Sequence, residues 1–479
     1  MKQQYEIVVG LEVHLHIATA TKAFCGCKNE FGLKPNSGVC PVCMGFPGSL
    51  PVLNEKYLEY AVKTALALNC KISDKMKFDR KNYFYPDLPK NYQISQYDMP
   101  LSEAGLLEII AKDAAPKKIR IKRVHMEEDA GKLLHEEDNI TRVDFNRSGT
   151  PLLEIVTEPD INSPEEAYAY LLTLKNLLEY LEVSDCDMEK GSLRCDANIS
   201  IRPAGQAALG VKVEVKNMNS FKGVRAALEY EQKRQESLAQ DNEKIIQETR
   251  LWDSDKKITQ PMRTKEEAHD YRYFPDPDLV PFEIDPALIK KIKNNMPQLP
   301  AEKKKQIIKD YGISEYDAGI LISDKAMAEY FLKCAQSYNQ PKIIANWIIS
   351  EILKYLNSKN MEFRYFDLPP AHLTDMLKMM DSGKISGKIA KDVLSDMITS
   401  KKSPQDIVKE KGLLQISDET ELRAVIKAVL RQHAQVTKDY KSGKEAALSF
   451  LVGQAMKATK GKANPGMVNK LLKEEMGNI

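Results

Sequence analysis

Long apolar runs are missing from this sequence of 479 residues: none approaches the roughly 20 residues needed to cross a bilayer. The N-terminal MKQQYEIVVGLEVH also lacks the basic segment and apolar core of a secretory signal. It runs straight into a strand pattern, so a cytoplasmic protein is expected. Phosphate-cradling glycine loops are missing too. Ala130-Gly131-Lys132 has Met126 where a P-loop needs its upstream glycine, and no GxGxxG opens a helix after a strand. There is no GxSxG elbow and no serine-rich amidase signature. If the chain uses ATP, it does so on a sheet without a P-loop, and if it consumes ammonia, another chain must release it. The net charge of +2 names no partner. Lys401–Ile479, however, hold 15 Lys and Arg against 9 Asp and Glu. A basic terminal piece suits a polyanion held by a tail, and a solvated lysine-rich surface is the plainer alternative.

A chain of this length and composition (43% hydrophobic, 29% charged) calls for two to four globular domains. The first part alternates with period 2. Ile7, Val9, Leu11, Val13, Leu15 and Ile17 share one strand face, with Glu12, His14 and His16 on the other. LRCDANISI sets Arg194, Asp196 and Asn198 opposite Leu193, Cys195, Ala197 and Ile199, and VKVEVKN sets Lys212, Glu214 and Lys216 opposite valines. Such strands belong to a mostly antiparallel sheet with one buried face. The segment opened by Ser163-Pro164 reads as a covering helix. The prolines of YRYFPDPDLVPFEID forbid regular structure, and helices follow. The expected fold class is α+β: a sheet domain over 1–292, an all-α domain over 293–402 and an all-α tail over 403–479, with KKSPQ (401–405) as hinge. In the tail, Ala447, Phe450, Leu451 and Ala455 form one helical stripe, and Asn464-Pro465 opens a last helix.

Of 8 cysteines, four crowd together as Cys25-Gly-Cys27 and Cys40-Pro-Val-Cys43. Two close pairs a dozen residues apart can wrap a tetrahedral ion with four thiolates, so a structural zinc is expected there. A second constellation is acidic: Glu12 and His14 on one strand face, then His125, Glu127, Glu128, Asp129 and Lys132, then Arg147, Glu154 and Glu158. Glu154 lies inside Leu152-Leu153-Glu154-Ile155-Val156, where an unpaired carboxylate is very costly. It needs a cation, either a salt-bridge partner or a hard metal such as magnesium. Spacing does not choose between Glu127 and Glu128. A third cluster, KFDRKNYFYPDLPKNYQISQ (77–96), mixes basic and aromatic residues that suit phosphates and bases, or make a turn-rich loop.

The stretches VGLEVH, FDRKNYFYPDLPKNYQISQ, HMEEDAGK, DFNRSGTPLLEIVTEPD, GSLRCDANISIRP, VEVKNMNSF, ETRLWD, DYRYFPDPDL and FLVGQAMKATKGKANP resemble the B-subunit family of the heterotrimeric aspartyl/glutamyl-tRNA amidotransferases over nearly the whole chain. The resemblance implies an N-terminal antiparallel-sheet cradle related to glutamine synthetase and guanidino kinases, then a helical domain and a helical tRNA-binding tail. It implies ATP-dependent phosphorylation of the side-chain carboxylate of Glu on glutamine tRNA or Asp on asparagine tRNA. Ammonia from the glutaminase (amidase) partner of the heterotrimer then displaces the phosphate, and a small third partner completes the complex. By motif position the magnesium ligands fall on Glu12, His14, Glu128 and Glu154. Some members lack the four cysteines that this sequence has. Arg147, Arg194, Asp196, Lys216, Asn198, Asn217 and Lys132 are further expected nucleotide or acyl-phosphate contacts, on the shared polar faces. Two other functions are weighed: a tRNA-binding scaffold without catalysis, and a glutamine-synthetase-like small-molecule ligase.

Overall fold

The computed structural model describes residues 4–112, 114–135, 140–264, 271–414, 419–441, 444, 446–459 and 463–477. The chain divides into two compact units, Met1–Pro300 and Ala301–Ile479.

The first unit is built on a nine-stranded sheet with the N-terminal strand, Tyr5–His16, at its centre. On one side it pairs antiparallel with Leu193–Pro203, followed by Val213–Lys216, Glu248–Asp253 and Ile258–Thr264. On the other side come Pro151–Thr157, Lys117–Glu128, Ser102–Ile109 and Lys71–Ile72. Neighbours run antiparallel throughout, except that Val213–Lys216 and Glu248–Asp253 are parallel. The period-2 pattern has the expected consequence: Ile7, Val9, Leu11, Val13 and Leu15 are buried on one face. Three helices, Glu55–Ala67, Pro164–Leu181 and Phe221–Gln240, pack their apolar stripes onto that face through Tyr57, Val62, Tyr170, Leu174, Leu178, Val224 and Leu228. Each such buried aliphatic or aromatic side chain contributes about 1.5–3 kcal/mol, which fixes the register of the sheet. Ser163 Oγ accepts the Glu166 N–H at 3.1 Å and Pro164 takes the first helical position, so the second of these helices starts as its sequence predicts. The proline-rich 271–285 segment is not wholly irregular. Phe274–Pro275 pairs with Asp79–Asn82 and Phe282–Glu283 with Lys75–Met76, each for two residues, because an edge position spares proline a ladder donor.

The second unit is helical. One hydrophobic core gathers Ile307, Phe331, Ile344, Ile348, Leu377 and Val393, and it extends to Ile407 and Val408. KKSPQ therefore does not stand between two cores: Ser403 caps the helix Pro404–Glu410, whose apolar residues pack into this one. A separate core joins Leu422, Ile426, Val429, Leu451, Val468 and Leu472. In the helix Ala446–Ala458, Ala447, Leu451 and Ala455 are buried at four-residue spacing. Phe450 falls off that line and stands 44% exposed, its ring meeting the edge of His433. Asn464 Oδ1 accepts from Gly466 N and Met467 N at 2.9 and 3.1 Å, capping Pro465–Gly477 as expected. Lys460 and Lys462 of the basic terminal piece lie outside the described residues.

Candidate active site and metal centres

With its apolar face under helices, the sheet leaves its polar face to line a cavity of about 720 Å³. Strand register decides which side chains meet there. Glu12 stands opposite Val156 and Asp196, His14 opposite Glu154 and Arg194, and Glu154 opposite His125. Glu12, His14, His125, Glu154, Asp196 and Lys216 therefore line one cavity, with Lys81 and Glu214. Ligand atoms of His125, Glu127 and Glu154 lie within 4.8 Å of one another. His125 Nε2 is 3.0 Å from Glu154 Oε2 and 3.2 Å from Glu127 Oε2, and His14 Nε2 is 3.6 Å from Glu154 Oε2. Lys81 Nζ approaches Glu127 Oε1 at 3.3 Å.

The electrostatics follow from this crowding. Burial pushes the Glu127 carboxyl up, but Lys81 and His125 outweigh it and hold it down at about 2. Burial likewise opposes ionisation of Glu154, yet His125 and His14 keep it well below the usual carboxylate range. Glu12 goes the other way: burial first, then Glu154, Glu214 and Asp196, raise it. A carboxyl crowded by three other acids lacks enough positive charge nearby. Asn198 Nδ2 donates to Glu12 Oε1 at 2.9 Å, while its buried Oδ1 has no partner among the described residues. Several carboxylate oxygens with one or two imidazoles suit a hard divalent cation such as magnesium.

The other expected residues scatter around this group. Glu128 faces the opposite side of its strand from Glu127, where it pairs with Lys90 and accepts the Ile94 N–H at 2.9 Å. It does not join Glu154; Glu127 does. Lys216 bridges Asp196 and Glu214 at 2.6 and 3.2 Å. Arg194 Nη2 reaches Asp129 Oδ2 at 2.7 Å, and His16 Nε2 meets the same oxygen at 2.6 Å. Arg147 and Lys132 line a different cavity of about 450 Å³, with His16. Arg147 donates from Nε to Ala130 O at 2.9 Å and approaches Asp129 at 3.5 Å. Asn217, in the left-handed region at φ 66°, donates to Trp252 O at 3.1 Å and stays out of both cavities. Tyr97, Tyr271 and Tyr273 were not among the residues expected from sequence, and Lys81 was read only as one of the basic residues of the 77–96 cluster. Their signal was the basic, aromatic composition of 77–96 and of DYRYFPDPDL.

Cys25, Cys27, Cys40 and Cys43 bring their sulfurs within 4.8 Å of one another, a set compatible with structural zinc. Lys22 is fully buried and points Nζ at Cys43 Sγ, 3.7 Å away. A hydrogen bond from Cys25, aided by Lys22 and opposed by burial, holds Cys43 below its ordinary thiol value. The knuckle packs on the loop after Glu128. At Gly149, φ is +83° and an added Cβ would stand 3.3 Å from Cys43 Cβ, so glycine suits both the turn and the close approach.

Residues 7–290 match a family model described as the GatB/GatE catalytic domain, and residues 329–476 match one described as the GatB domain. Full-length relatives are named as the B subunit of aspartyl/glutamyl-tRNA(Asn/Gln) amidotransferase. The chain is 55% identical to that of Caldanaerobacter subterraneus over 473 residues, 99% of each chain. It is 54% identical to that of a Thermoanaerobacter species, again over 99% of each chain, and 53% identical to that of Carboxydothermus hydrogenoformans over 100% of each.

Proposed function

The chain belongs to the family of aspartyl/glutamyl-tRNA amidotransferase B subunits, and from that premise we propose that its cavity phosphorylates the side-chain carboxylate of a mischarged aminoacyl-tRNA. The observation that carries this reading is the buried group His125, Glu127 and Glu154, with the half-buried Glu12 and His14 beside it on the polar face of the sheet. A carboxylate resists attack by ammonia because its leaving group would be oxide. Transfer of the γ-phosphoryl of ATP to a carboxylate oxygen, with ADP departing, makes phosphate the leaving group instead. Ammonia then adds to the acyl carbon, loses a proton, and expels phosphate to leave the amide.

Magnesium would be held by Glu12, His14, Glu127 and Glu154, and when bound it neutralises charge on the phosphoryl oxygens. Glu127 takes the place expected of Glu128 in that set because it shares the cavity face with Glu154. Lys81 and Lys216 bring ammonium groups to the same cavity, Lys81 against Glu127 and Lys216 against Asp196. They supply positive charge to phosphate oxygens in a partly buried site, where it acts more strongly than in water. The ammonia comes from a partner glutaminase, the zinc is structural, and the basic tail holds the tRNA.

The assembled enzyme provides the test. Phosphate release from ATP should require Glu-charged glutamine tRNA or Asp-charged asparagine tRNA, and ammonium salts should replace glutamine as nitrogen source. Glu154→Gln should stop phosphate release while glutamine hydrolysis by the partner continues. Undiminished, tRNA-dependent phosphate release in that variant would remove the assignment.

A further inference from the structure

One wall of the same cavity is aromatic. Tyr97 and Tyr273 stack with ring centroids 4.5 Å apart and planes 14° from parallel, and Tyr271 meets Tyr273 edge-on. The pairing of Tyr92–Ser95 and of Phe274–Pro275 with Asp79–Asn82 brings these rings together across 176 residues of chain. Aromatic pairs in a protein interior are covered on both sides. This one is not: Tyr97 is 54% exposed while lining the cavity. Arg123 ties the wall to the sheet, donating from Nη1 to Tyr97 O at 3.3 Å. Its Nε is buried and has no hydrogen-bond partner among the described residues. Lys122 lines the cavity beside it, and so does Lys212, just before the strand Val213–Lys216.

The cavity is thus graded in chemistry. Carboxylates and imidazoles hold its buried floor, with Glu154 and His125 only 8% and 2% exposed. Cations stand at its rim and a π surface forms one wall. Any π face can stack on tyrosine, so a ring platform beside cations suits a nucleobase joined through ribose to phosphate. We infer that Tyr97 and Tyr273 form a platform for an adenine base, with Arg123 and Lys122 meeting the phosphate attached to it. This rests on the phosphoryl-transfer reading, under which two adenosines come to the cavity. One belongs to ATP and the other is the 3′-terminal adenosine that carries the amino acid. Both present the same ring.

The test measures KM for ATP at saturating charged tRNA, and KM for charged tRNA at saturating ATP, in the assembled enzyme. The variants are Tyr97→Ala, Tyr273→Ala and Tyr97→Phe, with melting curves to confirm folding. Each alanine variant is expected to raise one KM roughly 5- to 100-fold, the loss of one base–aromatic stack, with a much smaller change in kcat. Tyr97→Phe keeps the ring and should bind far more tightly than Tyr97→Ala. A rise confined to ATP identifies the nucleotide base, and a rise confined to tRNA identifies the terminal adenosine. Mg-ADP binding to the full chain, which needs no turnover, should weaken in the first case alone. The platform is overturned if both folded alanine variants keep both KM values near wild type. It is also overturned if Tyr97→Phe loses as much as Tyr97→Ala, which would make the hydroxyl the active feature. Wild-type enzyme that releases no phosphate from ATP would instead remove the functional reading itself.

Discussion

Tyr57→Phe isolates one hydroxyl that joins the covering helix to the strands carrying Glu127 and Leu152. Tyr57 is fully buried in the helix Glu55–Ala67. Its hydroxyl accepts the Glu127 N–H at 2.9 Å and lies within hydrogen-bonding distance of Leu152 O and Glu127 O. Glu127 and Leu152 face each other across the strand pair, next to Pro151, which has no N–H to give. Phenylalanine fills the same space but leaves the Glu127 N–H without its acceptor and removes the donor to the facing carbonyls. An unsatisfied buried backbone donor costs about 1–3 kcal/mol. Each kcal/mol lowers Tm by about 2–4 °C in a domain of 150–250 residues, so a fall of roughly 2–12 °C is expected. Tyr170→Phe is the matched control. Tyr170 is equally buried in the same core, but its hydroxyl has no partner among the described residues, so its removal should leave Tm nearly unchanged. Because Glu127 is the residue released, the magnesium concentration needed for half-maximal phosphate release should rise several-fold in Tyr57→Phe and not in Tyr170→Phe. Equal melting of Tyr57→Phe and wild type, or equal losses in both tyrosine variants, would refute the reasoning.

At saturating magnesium, Glu127→Gln should lower phosphate release far more than Glu128→Gln, whose main effect is to strand Lys90; the reverse order would return the ligand role to Glu128. About one zinc per chain should co-purify, and Cys40→Ser should lose it and destabilise the first unit; a metal-free wild type of full stability would contradict this. Glu231 is fully buried and bonded to Arg234 and Gln235, with Arg250 Nε 3.1 Å away. Burial raises its pKa but Arg234 and Thr259 outweigh burial and lower it below 4.5, so its contribution is fully present above that pH and is lost as pH falls further. Urea titrations at pH 7 and pH 4 should show that acid loss shrinking in Glu231→Gln, and an unchanged difference would exclude Glu231 as its source. A chain ending at Leu414 keeps Ile407 and Val408 in the second core, which one ending at Lys402 does not. The longer truncation should fold, yet bind tRNA more weakly and with a shallower salt slope; unchanged binding would acquit the tail.

Much of the site was legible because strand periodicity is a local property. Glu12 and His14 could be placed on one face from YEIVVGLEVHLHI alone, and Glu154 stood out as a charge inside an apolar run. The four cysteines announced themselves by spacing, and the structure brings their sulfurs together. Lys81 was left undecided because a basic, tyrosine-rich stretch reads equally well as a phosphate contact or a surface loop. Tyr97 and Tyr273 were hidden because nothing local ties them; a short three-strand pairing does.

The sequence by itself determined the layered character of the first unit, the helical character of the second, the caps at Ser163 and Asn464, and the family. All of these depend on neighbours within a few residues or on long stretches of matching order. Only the tertiary structure decided which acids share a cavity. Glu127 and Glu128 are adjacent, and a shift of one residue in the pairing of Glu154 with His125 would exchange them. That register is set by side chains packed on the far face of the sheet, under helices drawn from three separate parts of the chain. Arg147 and Lys132 share the polar character of the group around Glu154, yet they line another cavity. Residue type and alternation are written along the chain, whereas register and loop direction are settled by packing between segments far apart in it.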